Sequence, residues 1–124
     1  MNYSILKIMK KWLNRRLEDI GSYVSEEYRK FQEDLMKWIR KWAKDNGWIL
    51  SKFTNGHYFE SYFINNGDKY VYISHERINR TFIDLDSNDF YLYRTAKNDK
   101  DYTGGGNCYC SWRNLEDNVY KLLN

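Results

Sequence analysis

Val24, Tyr28, Phe31, Leu35, Trp38 and Trp42 succeed one another at steps of three and four, with Ile39 beside Trp38 on the same stripe, and after Asn46-Gly47 that period gives way to one of two. A 3.6-residue period buries one stripe of a helix, whereas a two-residue period buries one face of a strand. A chain that changes from the first to the second must pack helix against sheet. The pattern therefore predicts an α+β fold: helices over residues 1–46, an antiparallel sheet over 47–112 and a short helix over 113–124. Ser25 precedes Glu26 and Glu27 as an N-cap with acids in the first turn, and Gly47 closes the helix.

An earlier helix is expected from Ile5 to Ile20. Ile5, Leu6, Ile8, Met9, Trp12, Leu13, Leu17 and Ile20 cover about half of a helical wheel, with Lys7, Lys11 and Arg15 opposite and Gly21 as the stop. Arg16 projects from the middle of that apolar face, and the sequence gives no reason for it. Beyond Trp48, Asn55-Gly56 and Asn66-Gly67 signal turns between Trp48–Thr54, His57–Ile64 and Lys69–His75. Thr81–Leu85 and Phe90–Thr95 flank an Asp86-Ser87-Asn88 turn. Together they predict a four- or five-stranded meander in a single domain of 124 residues. Residues 97–107, with Gly104-Gly105-Gly106, read as a mobile loop. Asn114 reads as the N-cap of a last helix that docks through Val119, Tyr120, Leu122 and Leu123.

Composition matters for what the sheet presents. The chain holds 12 Tyr, 6 Phe and 5 Trp, so ring surface either fills the core or forms a contact face. If Val71, Ile73, Phe59 and Phe63 point inward, alternation places Tyr58, Tyr62, Tyr70 and Tyr72 on the opposite face. With Asp99, Asp101 and Tyr102 of the glycine-rich loop they are the candidate partner-binding residues; the same rings also suit a half-buried β surface with no partner. An exposed tyrosine face also fits a homodimer interface. Charge is uneven: residues 1–46 hold 11 Lys/Arg against 7 Asp/Glu, and residues 47–124 hold 9 against 10. Lys7, Lys10, Lys11 and Arg15 form one basic cluster and Lys37, Arg40, Lys41 and Lys44 another, the candidate contacts for nucleic acid or another anion. Glu33 stands four residues before Lys37 and offers an ordinary helix-face pair instead.

No signature of catalysis stands out. The chain has no GxSxG, no phosphate-binding loop and no HExxH. Asp84 and Asp86, near His75, Glu76, Arg77 and Arg80, offer the pattern of a metal-dependent nuclease as the alternative enzymatic reading. Cys108 and Cys110 with His57 and His75 lack the paired half-sites of a zinc centre, so neither metal nor cofactor is expected. Two cysteines make no disulfide framework, and no apolar run suggests a membrane span or secretory leader; the expected location is the cytoplasm.

"DNGWILSK", "ESYFINNGDKYVYISHE" and "FIDLDSNDFYLYRTAK", within residues 44–97, resemble small proteins of phages and mobile elements, among them anti-CRISPR proteins. Some of those pair a basic helical part with a small sheet. The resemblance implies a non-enzymatic inhibitor that binds an RNA-guided nuclease, or its nucleic acid, inside the host bacterial cell. It carries over no functional residue.

Overall fold

The computed structural model describes residues 10–13, 15–16, 26–55, 60–75, 82–83 and 85–124. Its elements are β1 (Arg15–Arg16), α1 (Glu26–Asp45), β2 (Ile49–Asn55), β3 (Glu60–Asn65), β4 (Tyr70–His75), β5 (Phe82–Ile83), β6 (Tyr91–Ala96), β7 (Cys108–Cys110) and α2 (Leu115–Leu123). An antiparallel sheet of order β2-β3-β4-β6-β7 carries both helices on one face. The architecture is α+β.

Helix α1 forms where the periodicity places it, burying Phe31, Leu35, Trp38, Ile39, Trp42 and Ala43. Its end is set by Gly47, whose φ of 71° carries the chain into the left-handed region. The Trp48 amide donates to the Ala43 carbonyl at 2.8 Å and the Gly47 amide to Lys44 at 3.1 Å, a Schellman closure. That closure turns Trp48 back onto the helix it follows. The Trp38 and Trp42 rings stack at 4.9 Å, and Trp48 meets Trp42 edge-on at 5.6 Å. This tryptophan column fastens helix to sheet, and truncating a ring of this size costs about 3–5 kcal/mol.

Strands β3 and β4 set the two faces of the sheet. Tyr62 lies opposite Ile73 and Ile64 opposite Val71, with all four in the core; Phe63 lies opposite Tyr72 on the other side. The connecting turn spans Asn66 to Lys69, because the Asn66 side-chain oxygen accepts from Asp68 and Lys69 amides at 2.9 and 2.7 Å. The Asn66 side-chain nitrogen donates to Leu123 and ties this turn to the end of α2. Strand β2 carries a bulge between Ser51 and Thr54, where Lys52 takes a φ of 56°. The extra residue lets Phe53 turn inward and stack on Tyr62 at 5.8 Å, and leaves Lys52 exposed.

Four expectations need correction. The helix predicted over Ile5–Ile20 does not run through: Lys10–Trp12 are helical, but Arg15–Arg16 pair as a strand with Phe82–Ile83. Pairing between distant segments satisfies this backbone in place of the local helical bonds that amphipathicity favours. The Thr81–Leu85 strand accordingly shrinks to Phe82–Ile83 and belongs to that separate two-stranded sheet; the fifth strand of the main sheet is Cys108–Cys110. Asn55 pairs with Glu60, so the first hairpin is not closed by a two-residue Asn55-Gly56 turn; residues 56–59 and Ser25 lie outside the described residues. Asn114 occupies the N-cap of α2 without a side-chain capping bond, and Leu115, Val119 and Leu123 dock this helix while Tyr120 stays exposed.

Gly47→Ala places a Cβ in the left-handed region and is expected to cost about 1 kcal/mol in chemical denaturation. Gly106→Ala is the control. Its backbone is not left-handed and its Cβ would meet nothing within 4 Å, so the expected change is within about 0.5 kcal/mol.

Candidate functional site

The face of the sheet turned away from the helices is built in rows across the strands. One row runs Phe63, Tyr72, Arg94; a second runs Ser61, Ser74, Leu92, Tyr109; a third runs Asn65, Tyr70, Ala96. Residues 97–107 fold back onto the first row. The Asp101 carboxylate accepts from the amides of Lys97 (3.0 Å), Thr103 (3.2 Å) and Gly104 (2.7 Å). These backbone bonds, that of Lys97 foremost, hold its pKa below the usual carboxylate range. The Arg94 Nε donates to the Gly104 carbonyl at 2.7 Å, and its guanidinium sits 4.2 Å from the Tyr72 ring centroid.

The glycine run is thereby explained. A Cβ on Gly104 would overlap the Asp101 carboxylate; one on Gly105, at φ 75°, would overlap the Thr95 carbonyl. The segment is an internally bonded cap and not the mobile loop that its composition suggests. At its apex, the Tyr102 ring stands edge-on to Phe63 (5.2 Å) and Tyr72 (5.8 Å) while remaining 53% exposed. Phe63 is fully buried beneath it.

Of the tyrosines expected on this face, Tyr70 and Tyr72 are there, each half-buried. Tyr62 is not. It points to the helices, wholly buried beside Ile73, and Tyr58 lies outside the described residues. The misplacement has a physical cause: β3 is buried on both faces, so apolar residues occupy both parities and do not mark which side meets the helices. Asp101 shapes the loop with its carboxylate, and Asp99 is half-buried beside it. Arg94 and Tyr109 escaped sequence reasoning, because an arginine in a strand and a tyrosine between two cysteines carry no local signal of the loop and edge they serve.

The basic residues divide. Lys11 pairs with Asp34 (3.7 Å) and Lys41 with Asp45 (2.9 Å), whereas exposed Lys10, Lys37, Arg40 and Lys44 have no ion-pair partner among the described residues. The Glu33–Lys37 pair is not made. Lys7 lies outside the described residues, and Arg15 is placed only as a strand position. Asp86 accepts from Trp112 Nε1 (2.9 Å) and Arg113 Nε (3.0 Å), which gives it a structural duty, and Asp84 lies outside the described residues. Cys108 and Cys110 share one strand parity, with Cys108 exposed; burial pushes the Cys110 thiol up to about 11. Among the described residues no group of three His, Cys, Asp or Glu is placed to hold a metal, and no helix is long and apolar enough to cross a membrane.

A buried polar row lies on the opposite, helix-facing side. Register aligns Glu60, His75, Tyr91 and Cys110 across four strands. The His75 Nδ1 stands 3.3 Å from the Glu60 Oε2, with both side chains within 1% of full burial, though the approach is not aligned for a hydrogen bond. Burial lowers His75 to about 3 and raises Glu60 to about 8, so both are neutral at pH 7. Comparison of the chain with protein-family models, curated proteins and solved structures returned no match.

The buried pair predicts a particular pH profile of stability. Glu60, raised from 4.5, holds a proton in the folded state that the unfolded chain has lost, so its contribution falls as pH rises through 4.5 to 8. His75, lowered from 6.5, lacks a proton that the unfolded chain holds, so its contribution falls as pH drops through 6.5 to 3. Between 4.5 and 6.5 the two slopes cancel. Stability from this pair is expected to plateau there and to decline on either side by about 1 kcal/mol per pH unit. In Glu60→Gln the decline above pH 6.5 disappears and, with the cancelling slope gone, the acid decline begins at 6.5 and not at 4.5; denaturation midpoints of both proteins across pH 4–9 check this.

Proposed function

We propose that this protein is a non-catalytic inhibitor, of the kind phages and mobile elements encode, that binds a host defence nuclease through the uncovered face of its sheet. Tyr102 carries the reading. It is half-exposed and held by a loop whose amides converge on one carboxylate, so docking it orders little that is not already ordered. Rigid aromatic rings with few rotatable bonds are efficient interface anchors. Tyr72 lies against it, Tyr70 shares the same face of the sheet, and the charged rim orients encounter. The choice of an RNA-guided nuclease as partner rests on the resemblance of residues 44–97 to anti-CRISPR-type proteins.

One observation favours a second reading. Lys37, Arg40 and Lys44 lie on one exposed stripe of α1 at steps of three and four, without carboxylate partners among the described residues. Such a stripe suits the phosphates of a nucleic acid. Binding by this route weakens steeply between low and physiological salt, whereas an interface centred on Tyr102 loses little.

The test is capture from a lysate containing CRISPR effector complexes by the tagged protein, with and without digestion of nucleic acid. A nuclease retained after digestion is expected. Tyr102→Ala should then weaken its binding by about 30-fold, the scale of an anchor worth about 2 kcal/mol. Asp101→Ala should weaken it through release of the loop, although its carboxylate faces inward. Tyr120→Ala, which removes an equally exposed ring on α2, should leave it unchanged. Recovery of nucleic acid alone, lost on digestion, would sink the inhibitor reading.

A further inference from the structure

The two edges of the main sheet are unlike. At the β2 edge the bulge interrupts the ladder and an exposed lysine, Lys52, stands in it, the two devices that discourage a further strand from pairing. At the other edge β7 pairs with β6 alone, and among the described residues its remaining backbone groups meet no other strand. No bulge protects it. Nor does any charged side chain: from Tyr102 to Trp112 there is no Asp, Glu, Lys or Arg, in a chain with 30% of these residues. The strand carries Cys108, exposed, and Tyr109, 49% exposed on the face turned from the helices.

We infer that the β7 edge is a docking site for a second copy of this chain, which adds its own β7 antiparallel to the first about a two-fold axis through Tyr109. Antiparallel pairing of identical strands is self-complementary, and here it brings no like charges together because the run is uncharged. The axis sets the two Tyr109 rings directly opposite on one face, each beside the Leu92 of its own sheet. Cross-strand aromatic pairs of this kind stabilise antiparallel ladders. The protected β2 edge then stops growth of the main sheet: one open edge on it among the described residues gives a closed pair, whereas two would give a fibre. The inference does not rest on the inhibitor reading, since the β7 edge and the Tyr102 cap are different surfaces.

Light scattering coupled to size exclusion, run over a concentration series of the full chain, tests it. The mass is expected to rise from 15.2 kDa toward twice that value, while hydrogen exchange at the Cys108–Cys110 amides slows with concentration. Tyr109→Lys, which sets two ammonium groups against each other across the axis, should hold the mass at one chain with an unchanged circular dichroism spectrum. Tyr109→Glu, which opposes two carboxylates at the same point, should act the same way if the first variant misfolds. A single-chain mass at every concentration overturns the inference. So does a dimer that both variants form as readily as the unaltered chain, or protection of these amides only when a foreign protein is added.

Discussion

The antiparallel register that sets Tyr62 opposite Ile73 and Phe63 opposite Tyr72 decides which side chains reach the helices and which reach solvent. A shift of one residue would send Glu60 and Tyr62 outward and bring Phe63 and Asn65 in. The tryptophan column would then lose the aromatic and aliphatic surface it packs on, and Tyr102 would lose the buried ring beneath it. The register is fixed from two sides. Asn66 bonds the turn internally and holds it to Leu123 of α2, while the bulge at Lys52 adjusts β2 so that Phe53 meets Tyr62.

Much of this was legible in the chain. The period of α1, its stop at Gly47, the β3–β4 turn and the docking of α2 through Val119 and Leu123, though not Tyr120, follow from spacing and turn chemistry, because each is a local property. What failed was non-local. Residues 5–20 have a helical pattern, yet Arg15–Arg16 find strand partners some 67 positions away, and no local scale registers that. The face of Tyr62 was recoverable by a different argument from the one the apolar pattern invites. A turn centred on Asn66-Gly67, whether two or four residues long, sets positions of β3 opposite positions of β4 whose numbers sum to an odd value. Tyr62 then shares the face of Val71 and Ile73 whatever the apolar residues of β3 suggest.

The loop after β6 shows why composition misjudges order. Three glycines signal freedom when nothing constrains them, but here two of them are small because a carboxylate and a carbonyl need the space. Conformational freedom has been exchanged for close approach, and the product is a fixed ring, Tyr102, above a buried one. An inward-facing carboxylate and an arginine laid on a tyrosine do the holding. Neither reads as structural in sequence, where both look like solvent-exposed charge.

The same sheet also carries a cost on its hidden side. Glu60 and His75 are two ionisable groups in a core otherwise rich in aromatic rings, each moved to its neutral form by burial. Apolar replacements of similar shape would avoid that desolvation, so packing alone does not account for the pair. Its position is informative. Glu60 opens β3 and His75 closes β4, so the row lies at the end of the hairpin remote from the Asn66 turn. A slip of two residues would keep Glu60 on the buried face but set it opposite Ile73, and a neutral polar group tolerates a polar neighbour better than an aliphatic one, which favours Glu60 opposite His75 over that slip. The penalty is thus tied to the alignment on which both faces of the sheet depend.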